Sequence, residues 1–205
     1  MNQWLKWISS LQGLAQNGMT FAANQFDSER YKAIQAISAE MLARMANTMP
    51  AENLALFAKE LGYATPKLDV RAAAFKNNKI LLVKERSDNA WSLPGGWADL
   101  NETPTEAVER EVREESGYLV KATKLVALFD KRKHQHPPSY YPTYKAFFLC
   151  KIESGEPKEN IEISEIDFFA KDKLPSNLSL PRVTPEQIHM LFTHHAKPDL
   201  PAEFD

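Results

Sequence analysis

Residues 95–118, GGWADLNETPTEAVEREVREESGY, constrain the fold most, because they combine six glutamates and one aspartate with glycines near both ends. The run Thr103-Pro104-Thr105-Glu106 has the pattern of a capping box with proline at the first helical position, so it predicts a helix from Pro104 to about Ser116. At about 100° per residue, three of its glutamates share one side and two valines form a neighbouring apolar stripe that can face a sheet. These residues are Glu111, Glu114, Glu115, Val108 and Val112.

Three carboxylates on one side of a helix repel one another unless a cation offsets their charge. Oxygen ligands in this number favour a hard divalent ion, Mg²⁺ or Mn²⁺, over zinc, which prefers Cys and His. A solvated acidic helix face is the alternative, and the pattern E-x-x-E-E alone leaves it open. The surroundings favour the ion site, because the Gly95-Gly96 loop can approach a ligand closely and Arg110 can pair with Glu102.

Strand patterns surround this helix. LDVRAAAF and KILLVKER flank Asn77-Asn78, which predicts a hairpin with a tight turn. TKLVALFD, YKAFFLCKI and EISEIDFFA predict three later strands, and Thr184-Pro185-Glu186-Gln187 predicts the start of a closing helix. Beyond the boundary at Ala64-Thr65-Pro66, the sequence therefore predicts a mixed α/β domain with helices packed on a sheet.

The spacing of the box resembles that of a known family. Gly96, five residues, Glu102, seven residues and then REVREESGY from Arg110 match the Nudix box without a mismatch. The resemblance extends over residues 66–195. It includes the entry Trp-x-Leu-Pro-Gly-Gly at residues 91–96 and FF…LP at residues 168–175. It implies a Nudix α/β/α sandwich with a mixed sheet, and an enzyme that uses a divalent metal to hydrolyse a nucleoside diphosphate linked to another group, X.

The resemblance also implies roles for single residues. Glu111, Glu114 and Glu115 match the metal-binding glutamates, and the Gly95 carbonyl matches a backbone ligand. Arg110 and Glu102 match the pair that orients loop and helix, with Gly96 as structural support. The general base is less fixed, so Glu111 and Glu165 are both candidates, and Glu165 read without the family is an exposed glutamate at the start of a strand. The catalytic candidates are thus Glu111, Glu165 and Arg110.

The substrate is not encoded in the box, so the flanking residues supply the candidates. The loop at residues 131–144 interleaves basic residues with tyrosines that could stack on a nucleobase. A solvated, proline-stiffened loop explains the same pattern, and solvated strand positions explain the two arginines among the candidates equally well. The candidate substrate-binding residues are Arg71, Arg86, Trp97, Tyr140, Tyr141 and Tyr144.

Residues 1–63 lack strand patterns and predict a helical module ahead of the Nudix domain at residues 66–205. The first predicted helix carries an apolar stripe of Trp4, Trp7, Ile8, Leu11 and Leu14 and stops at Gly18. The second is capped by Asp27 or Ser28, and the third covers about residues 51–61. The module resembles that of one bacterial Nudix subgroup, which implies ADP-ribose or CDP-choline as substrate type. The stripe also motivates the hypothesis of a homodimer.

Composition limits the other function classes. The net charge of −2 gives no global field that recruits nucleic acid or an anionic membrane, although RNA cleavage stays open because of the basic, aromatic loop. No apolar run approaches the roughly 18 residues of a membrane span, and a single cysteine, Cys150, fits a reducing cytoplasm. A non-catalytic nucleotide sensor is the alternative to the hydrolase, but the complete box and the zero net charge of the N-terminal module favour the enzyme.

Overall fold

The structure, a computed structural model, describes residues 3–139 and 141–205. It divides into two compact units. The first comprises the described residues of Met1–Pro66 and Pro138–Pro142, and the second comprises Lys67–Pro137 and Thr143–Asp205. No helix in the described parts of the chain is long and apolar enough to cross a membrane. The proposal that residues 1–63 and 66–205 are separate domains stays a prediction.

The first unit is helical. Its helices are α1 (Gln3–Phe21), α2 (Gln25–Ala46) and α3 (Pro50–Phe57). They pack around a small apolar core, in which Ser38 Oγ donates to the carbonyl of Ile8 and Asn53 Nδ2 to that of Ala39. The core residues are Leu5, Ile8, Ala39, Leu42 and Phe57. Predicted Ile8 is therefore buried, whereas Trp4, Trp7 and Leu14 are exposed.

The predicted helix ends in this unit were wrong. Helix α1 continues through Gly18, where a Cβ would stand 2.2 Å from the ring of Tyr31, so the glycine permits close packing and does not end the helix. Helix α2 is capped by Asn24, whose side chain accepts from Asp27 N, and begins before the predicted caps. Helix α3 ends at Phe57, four residues before the predicted end.

The second unit contains a seven-stranded mixed sheet. Its strand order is β3-β2-β1-β5-β4-β7, with β6 paired to β2. The strands are β1 (Lys67–Lys76), β2 (Lys79–Glu85), β3 (Ala90–Ser92), β4 (Tyr118–Asp130), β5 (Thr143–Gly155), β6 (Ile163–Phe169) and β7 (Glu203–Phe204). The predicted hairpin is present, since Asn77 and Asn78 have φ of 52° and 57° and Lys76 pairs with Lys79. The N-terminal part of β1 pairs in parallel with β5.

Two helices cover the two faces of this sheet. Helix α4 (Pro104–Ser116) lies over Val70, Ala72 and Ala74 of β1, and α5 (Pro185–Ala196) lies on the face of Ala73. Successive residues of a strand point to opposite faces, so β1 contributes to both cores. The α/β/α sandwich implied by the sequence is therefore confirmed.

The outer edge of β4 is covered over two residues by β7. Ala127 pairs with Glu203 and Leu128 with Phe204 in parallel. Around this short strand, the Lys124 ammonium donates to the carbonyls of Pro198 (2.7 Å) and Leu200 (2.6 Å). These contacts hold residues 198–204 against β4.

Candidate active site

Helix α4 begins and ends as its sequence predicts. The Glu106 backbone N donates to Thr103 Oγ1 (3.2 Å) and the Thr103 backbone N donates to Glu106 Oε2 (2.7 Å), which completes the capping box. Gly117, with φ of 78°, ends the helix. Val108 and Val112 are fully buried against the sheet, and this fixes the direction in which the acidic side of the helix points.

The Gly95-Gly96 loop lies directly against that acidic side. The backbone N of Gly95 donates to Glu115 Oε2 (2.8 Å). Gly95 has a φ of 144°, and a Cβ there would stand 2.0 Å from the carbonyl oxygen of Val70. A Cβ on Gly96 would stand 2.8 Å from Glu111 Oε1. Only glycine therefore allows the loop to run between strand β1 and the glutamates.

Arg110 joins the loop to the helix. Its Nε and Nη2 donate to the two oxygens of Glu102 (3.0 and 2.8 Å), so the predicted pair is present as a bidentate contact. Nη1 donates to Glu111 (3.0 Å) and Glu114 (3.1 Å), and Nη2 also reaches the carbonyl of Trp97 (3.3 Å). Hydrogen bonds from Arg110 hold the pKa of Glu102 down at about 2. One guanidinium thus donates hydrogen bonds to three carboxylates, and that of Asp99 lies 3.7 Å from Nη2.

The three box glutamates differ in burial. Burial raises the pKa of Glu115 to about 8, and the charge of Arg71 and the Gly95 N–H offset this only in part. Burial also raises the pKa of Glu111, against the effect of Arg110. The side chain of Glu114 is 52% exposed, whereas that of Glu111 is 14% exposed. Two carboxylates are therefore held in surroundings that disfavour their negative charge.

These residues suit a divalent metal cation in their chemistry. Three carboxylates and the Gly95 carbonyl are the oxygen donors that hard divalent ions prefer, and a cation would offset the charge that burial disfavours. In the part of the chain that the structure describes, no three His, Cys, Asp or Glu side chains are arranged to hold an ion as they stand. Arg110 donates to Glu111 and Glu114, and a cation at this site would have to replace those contacts.

Two further candidates lie on β6 and just after β2. Glu165, on β6, receives a hydrogen bond from Lys84 Nζ at 2.7 Å, opposite which it stands in the strand register. Arg86 follows β2, and its Nε donates to the carbonyl of Asn160 (3.2 Å). Both side chains therefore already have protein partners, and their roles toward a substrate stay predictions.

The aromatic candidates are divided between the two units. Trp97 is 47% exposed next to the glycine loop, with Lys67 Nζ 5.9 Å from its ring centroid. Tyr144 is exposed on β5. Tyr141 belongs to the first unit and Tyr140 lies outside the described residues. The prediction that tyrosines stack on a nucleobase therefore stays untested.

A buried charge cluster beneath the loop was not anticipated as such. Arg71, a phosphate candidate by sequence, instead forms a bidentate pair with Asp69, and Lys145 donates to the same carboxylate. Glu85, also buried, forms an ion pair with Arg182, whose Nε lies 3.0 Å from its carboxylate. One signal in the sequence could have revealed the cluster. Asp69 and Arg71 share a strand face, and Lys145 interrupts an otherwise apolar strand.

Comparison with known proteins gives two family matches. A family model described as a NUDIX domain matches residues 65–192. A second, described as a UDP-X-like, N-terminal oligomerisation domain, matches residues 2–57. A putative ADP-ribose pyrophosphatase of Bacillus subtilis (strain 168), YjhB, is 41% identical over 203 residues, covering 99% of this chain and 97% of the relative.

Two solved structures are similar as well. The crystal structure of an ADP-ribose pyrophosphatase from Streptococcus suis 89-1591 has 41% sequence identity and a TM-score of 0.64, covering 69% of this chain and all of the other. The crystal structure of a UDP-X diphosphatase has 35% identity and a TM-score of 0.65, covering 99% of this chain and 98% of the other. The second similarity thus includes both units.

Proposed function

The chain belongs to the Nudix family of hydrolases, and we propose that it uses Mg²⁺ or Mn²⁺ to hydrolyse the pyrophosphate of a nucleoside diphosphate linked to another group, X. The products would be a nucleoside monophosphate and a phosphorylated X. Nudix hydrolases generally use a divalent cation, and the choice of Mg²⁺ or Mn²⁺ follows from the oxygen donors of the site.

One observation carries the proposal: the Gly95 N–H holds Glu115 at 2.8 Å, next to the glutamates that Arg110 holds. This contact fixes the backbone of the glycine loop and a buried carboxylate at one point. A solvated acidic helix would have no reason to bury Glu115 at 7% exposure. The arrangement therefore favours a site that binds a cation and a phosphate, and it disfavours the alternative of a solvated acidic helix.

The residues of the chain divide the work as follows. Glu111, Glu114, Glu115 and the Gly95 carbonyl would hold the metal, which supplies charge neutralisation for the diphosphate and a more acidic water. Arg110 and Glu102 keep the loop and helix together. Glu111 and Glu165 both stay candidates for the base, because Glu111 lies beside Gly96 but accepts from Arg110, and Glu165 accepts from Lys84.

The substrate proposal rests on relatives and on the N-terminal module. Two similar proteins carry the name ADP-ribose pyrophosphatase and one that of UDP-X diphosphatase. We propose ADP-ribose, CDP-choline and UDP-linked compounds as the leading substrates. All three share a nucleoside diphosphate and differ in base and X, so they separate the contributions of the two ends.

A panel assay tests this function. The full chain with Mg²⁺ would be incubated with ADP-ribose, CDP-choline, a UDP-sugar, NADH, nucleoside triphosphates and RNA, and substrates and products would be separated and quantified by anion-exchange chromatography. We expect turnover of at least one diphosphate-linked compound above the triphosphates and RNA. Binding of a compound without turnover of any would favour the sensor, and cleavage of RNA alone would favour a nuclease.

We also propose a homodimer and a cytoplasmic setting. The match of residues 2–57 to an oligomerisation domain supports association through the first unit. On α1, one side is buried and a second side exposes Trp7, Leu14 and Phe21 at intervals of seven residues. A second copy of the chain would cover this apolar side. The reduced, buried Cys150 supports the cytoplasmic setting.

A further inference from the structure

Three charged side chains are buried together beneath the glycine loop. Asp69 and Arg71 stand two residues apart on β1, and Lys145 is the register partner of Asp69 on β5. Their exposures are 7%, 5% and 0%. They lie on the sheet face of Ala73, opposite helix α4, by strand alternation. The cluster is thus separated from the box glutamates by β1 itself.

Every nitrogen of the Arg71 guanidinium has a partner. Nε and Nη2 donate to the two oxygens of Asp69 at 2.6 and 3.2 Å, and Nη1 donates to the carbonyl of Leu93 at 3.1 Å. Lys145 Nζ donates to Asp69 Oδ2 at 2.7 Å. Protein groups therefore already engage the guanidinium, and a role of Arg71 toward a substrate phosphate stays a prediction. Arg71 connects β1 to a peptide group two residues before Gly95.

The backbone around Leu93 shows what this connection does. Ala72 N donates to the Pro94 carbonyl (2.9 Å) and Val70 N to the Gly96 carbonyl (2.8 Å), so β1 holds the segment after Leu93. Leu93 is fully buried, and its carbonyl accepts from Arg71 and from Ser92 Oγ (3.0 Å). Arg71 thereby fixes the entry to the loop whose Gly95 N–H holds Glu115.

Stability alone does not explain three buried charges at this place. Removing charges from water costs several kcal/mol per ion, and apolar residues of similar volume often stabilise a core equally well or better. The charges instead fix the orientation of the groups they contact, because the planar guanidinium binds two carboxylate oxygens and one carbonyl oxygen at the same time. A backbone carbonyl that binds a metal depends on such a fixed orientation, since it has no side-chain rotamers with which to adjust.

We propose that Arg71 is a positioning residue for the metal site, which acts through the Leu93 carbonyl and is itself held by Asp69 and Lys145. The proposal rests on the proposed function, in which the Gly95 carbonyl and Glu115 hold the cation. Arg71 touches neither substrate nor metal. It keeps the Leu93–Gly96 backbone in the conformation that presents both ligands together.

The test uses Arg71→Lys, which retains the charge and the pair with Asp69 but is too short and too narrow to reach the Leu93 carbonyl as well. Mn²⁺ binding to the full chain without substrate would be measured by electron paramagnetic resonance. We expect the dissociation constant to rise by about 10-fold or more, the range found for residues that orient metal ligands. The KM measured at saturating metal should change by less than about twofold. The control is Arg30→Lys, which alters an exposed pair with Asp27 in the first unit.

Two results would overturn the proposal. Unchanged Mn²⁺ affinity with a raised KM would mean that Arg71 contacts the substrate. Unchanged affinity and kinetics with a lower melting temperature would mean that its role is structural only. Should Arg71→Lys fail to fold, Ser92→Ala removes the second donor to the Leu93 carbonyl, and a smaller loss of Mn²⁺ affinity in the same direction is expected. Absence of Mn²⁺ binding by the unaltered chain would instead count against the proposed function.

Discussion

Single residues set the charge balance of the candidate site. Glu115 is buried with one N–H donor, and Arg110 is shared among three carboxylates. Neither arrangement maximises stability, because a buried carboxylate without a full partner disfavours folding. Burial therefore disfavours the ionised carboxylates of the site, and a bound cation would offset this cost.

Replacing Glu115 by glutamine separates function from stability. We expect Glu115→Gln to lower kcat by about 100-fold or more, because a metal-binding charge is lost. The variant should unfold at an equal or higher temperature than the unaltered chain when no metal is added. Burial raises the pKa of Glu115 to about 8, so this residue must take up a proton or bury its charge on folding, and glutamine avoids both costs. Steady-state kinetics and thermal unfolding measure the two effects. Glu153→Gln, at the exposed end of β5, is the control and should alter neither. Full activity of Glu115→Gln would contradict the site.

The Asp69 cluster gives an unequal pair of variants. Asp69→Asn leaves Arg71 and Lys145 buried without their anion and should cost about 3–5 kcal/mol in the free energy of unfolding. Lys145→Met leaves the bidentate pair of Asp69 and Arg71 intact, and burial already lowers the pKa of Lys145 to about 7. Its cost should be about 1 kcal/mol. Urea denaturation measures both, and equal costs would mean that Lys145 is as necessary as Asp69.

Elements could be predicted where local chemistry specifies them. The hairpin at Asn77-Asn78 and the capping boxes at Thr103 and Thr184 are as predicted, because turn and cap residues act over a few positions. The box pair of Arg110 and Glu102 followed from spacing in the same way. The Asp69–Lys145 contact joins residues 76 positions apart, so only the register of β1 and β5 creates it. Helix α1 passed Gly18 because Tyr31 packs there, which is also a tertiary cause.

The tie between the loop and helix α4 predicts a pH dependence. The folded pKa of Glu102 lies at about 2, below its ordinary value of 4.5, so ionised Glu102 stabilises the fold. This contribution is complete above about pH 4.5 and is lost as the pH falls toward 2. The unaltered chain should therefore exceed Glu102→Gln in the free energy of unfolding at pH 6, and the difference should shrink below pH 4.5. In an Arg110→Met background the difference should become smaller but not vanish, because the Asp99 backbone N also donates to Glu102 at 2.6 Å. An undiminished difference there would mean that Arg110 is not the main partner of Glu102.

At the scale of the whole molecule, the two units differ in what they present. The second contains the complete Nudix box, and the first exposes an apolar side of α1. Because residues 2–57 match a family model described as an oligomerisation domain, we propose that association and chemistry belong to different parts of the chain. Substitutions on α1 should therefore change mass in solution before they change catalysis.

Leu14→Asp tests this assignment. Leu14 is 63% exposed in the single chain, and an aspartate there would place a charge inside the proposed dimer contact. Sedimentation should give twice the chain mass of 23.3 kDa for the unaltered protein and the single mass for the variant. Lys6→Asp, about 80° around the helix from Leu14, is the control and should stay dimeric. A single mass for the unaltered protein would contradict the dimer.

Strand β7 has a consequence for how this chain behaves while it is being made in a cell. It covers the edge of β4 over only two residues, Ala127 and Leu128, and it is synthesised after β4 and after the other described strands. Until it docks, β4 presents unpaired N–H and C=O groups that can recruit a strand from another nascent chain. The hydrogen bonds from Lys124 to the carbonyls of Pro198 and Leu200 then hold β7 in place and so oppose aggregation. Weakening these hydrogen bonds should shift the protein from the soluble fraction into inclusion bodies, although no residue of the candidate active site is changed.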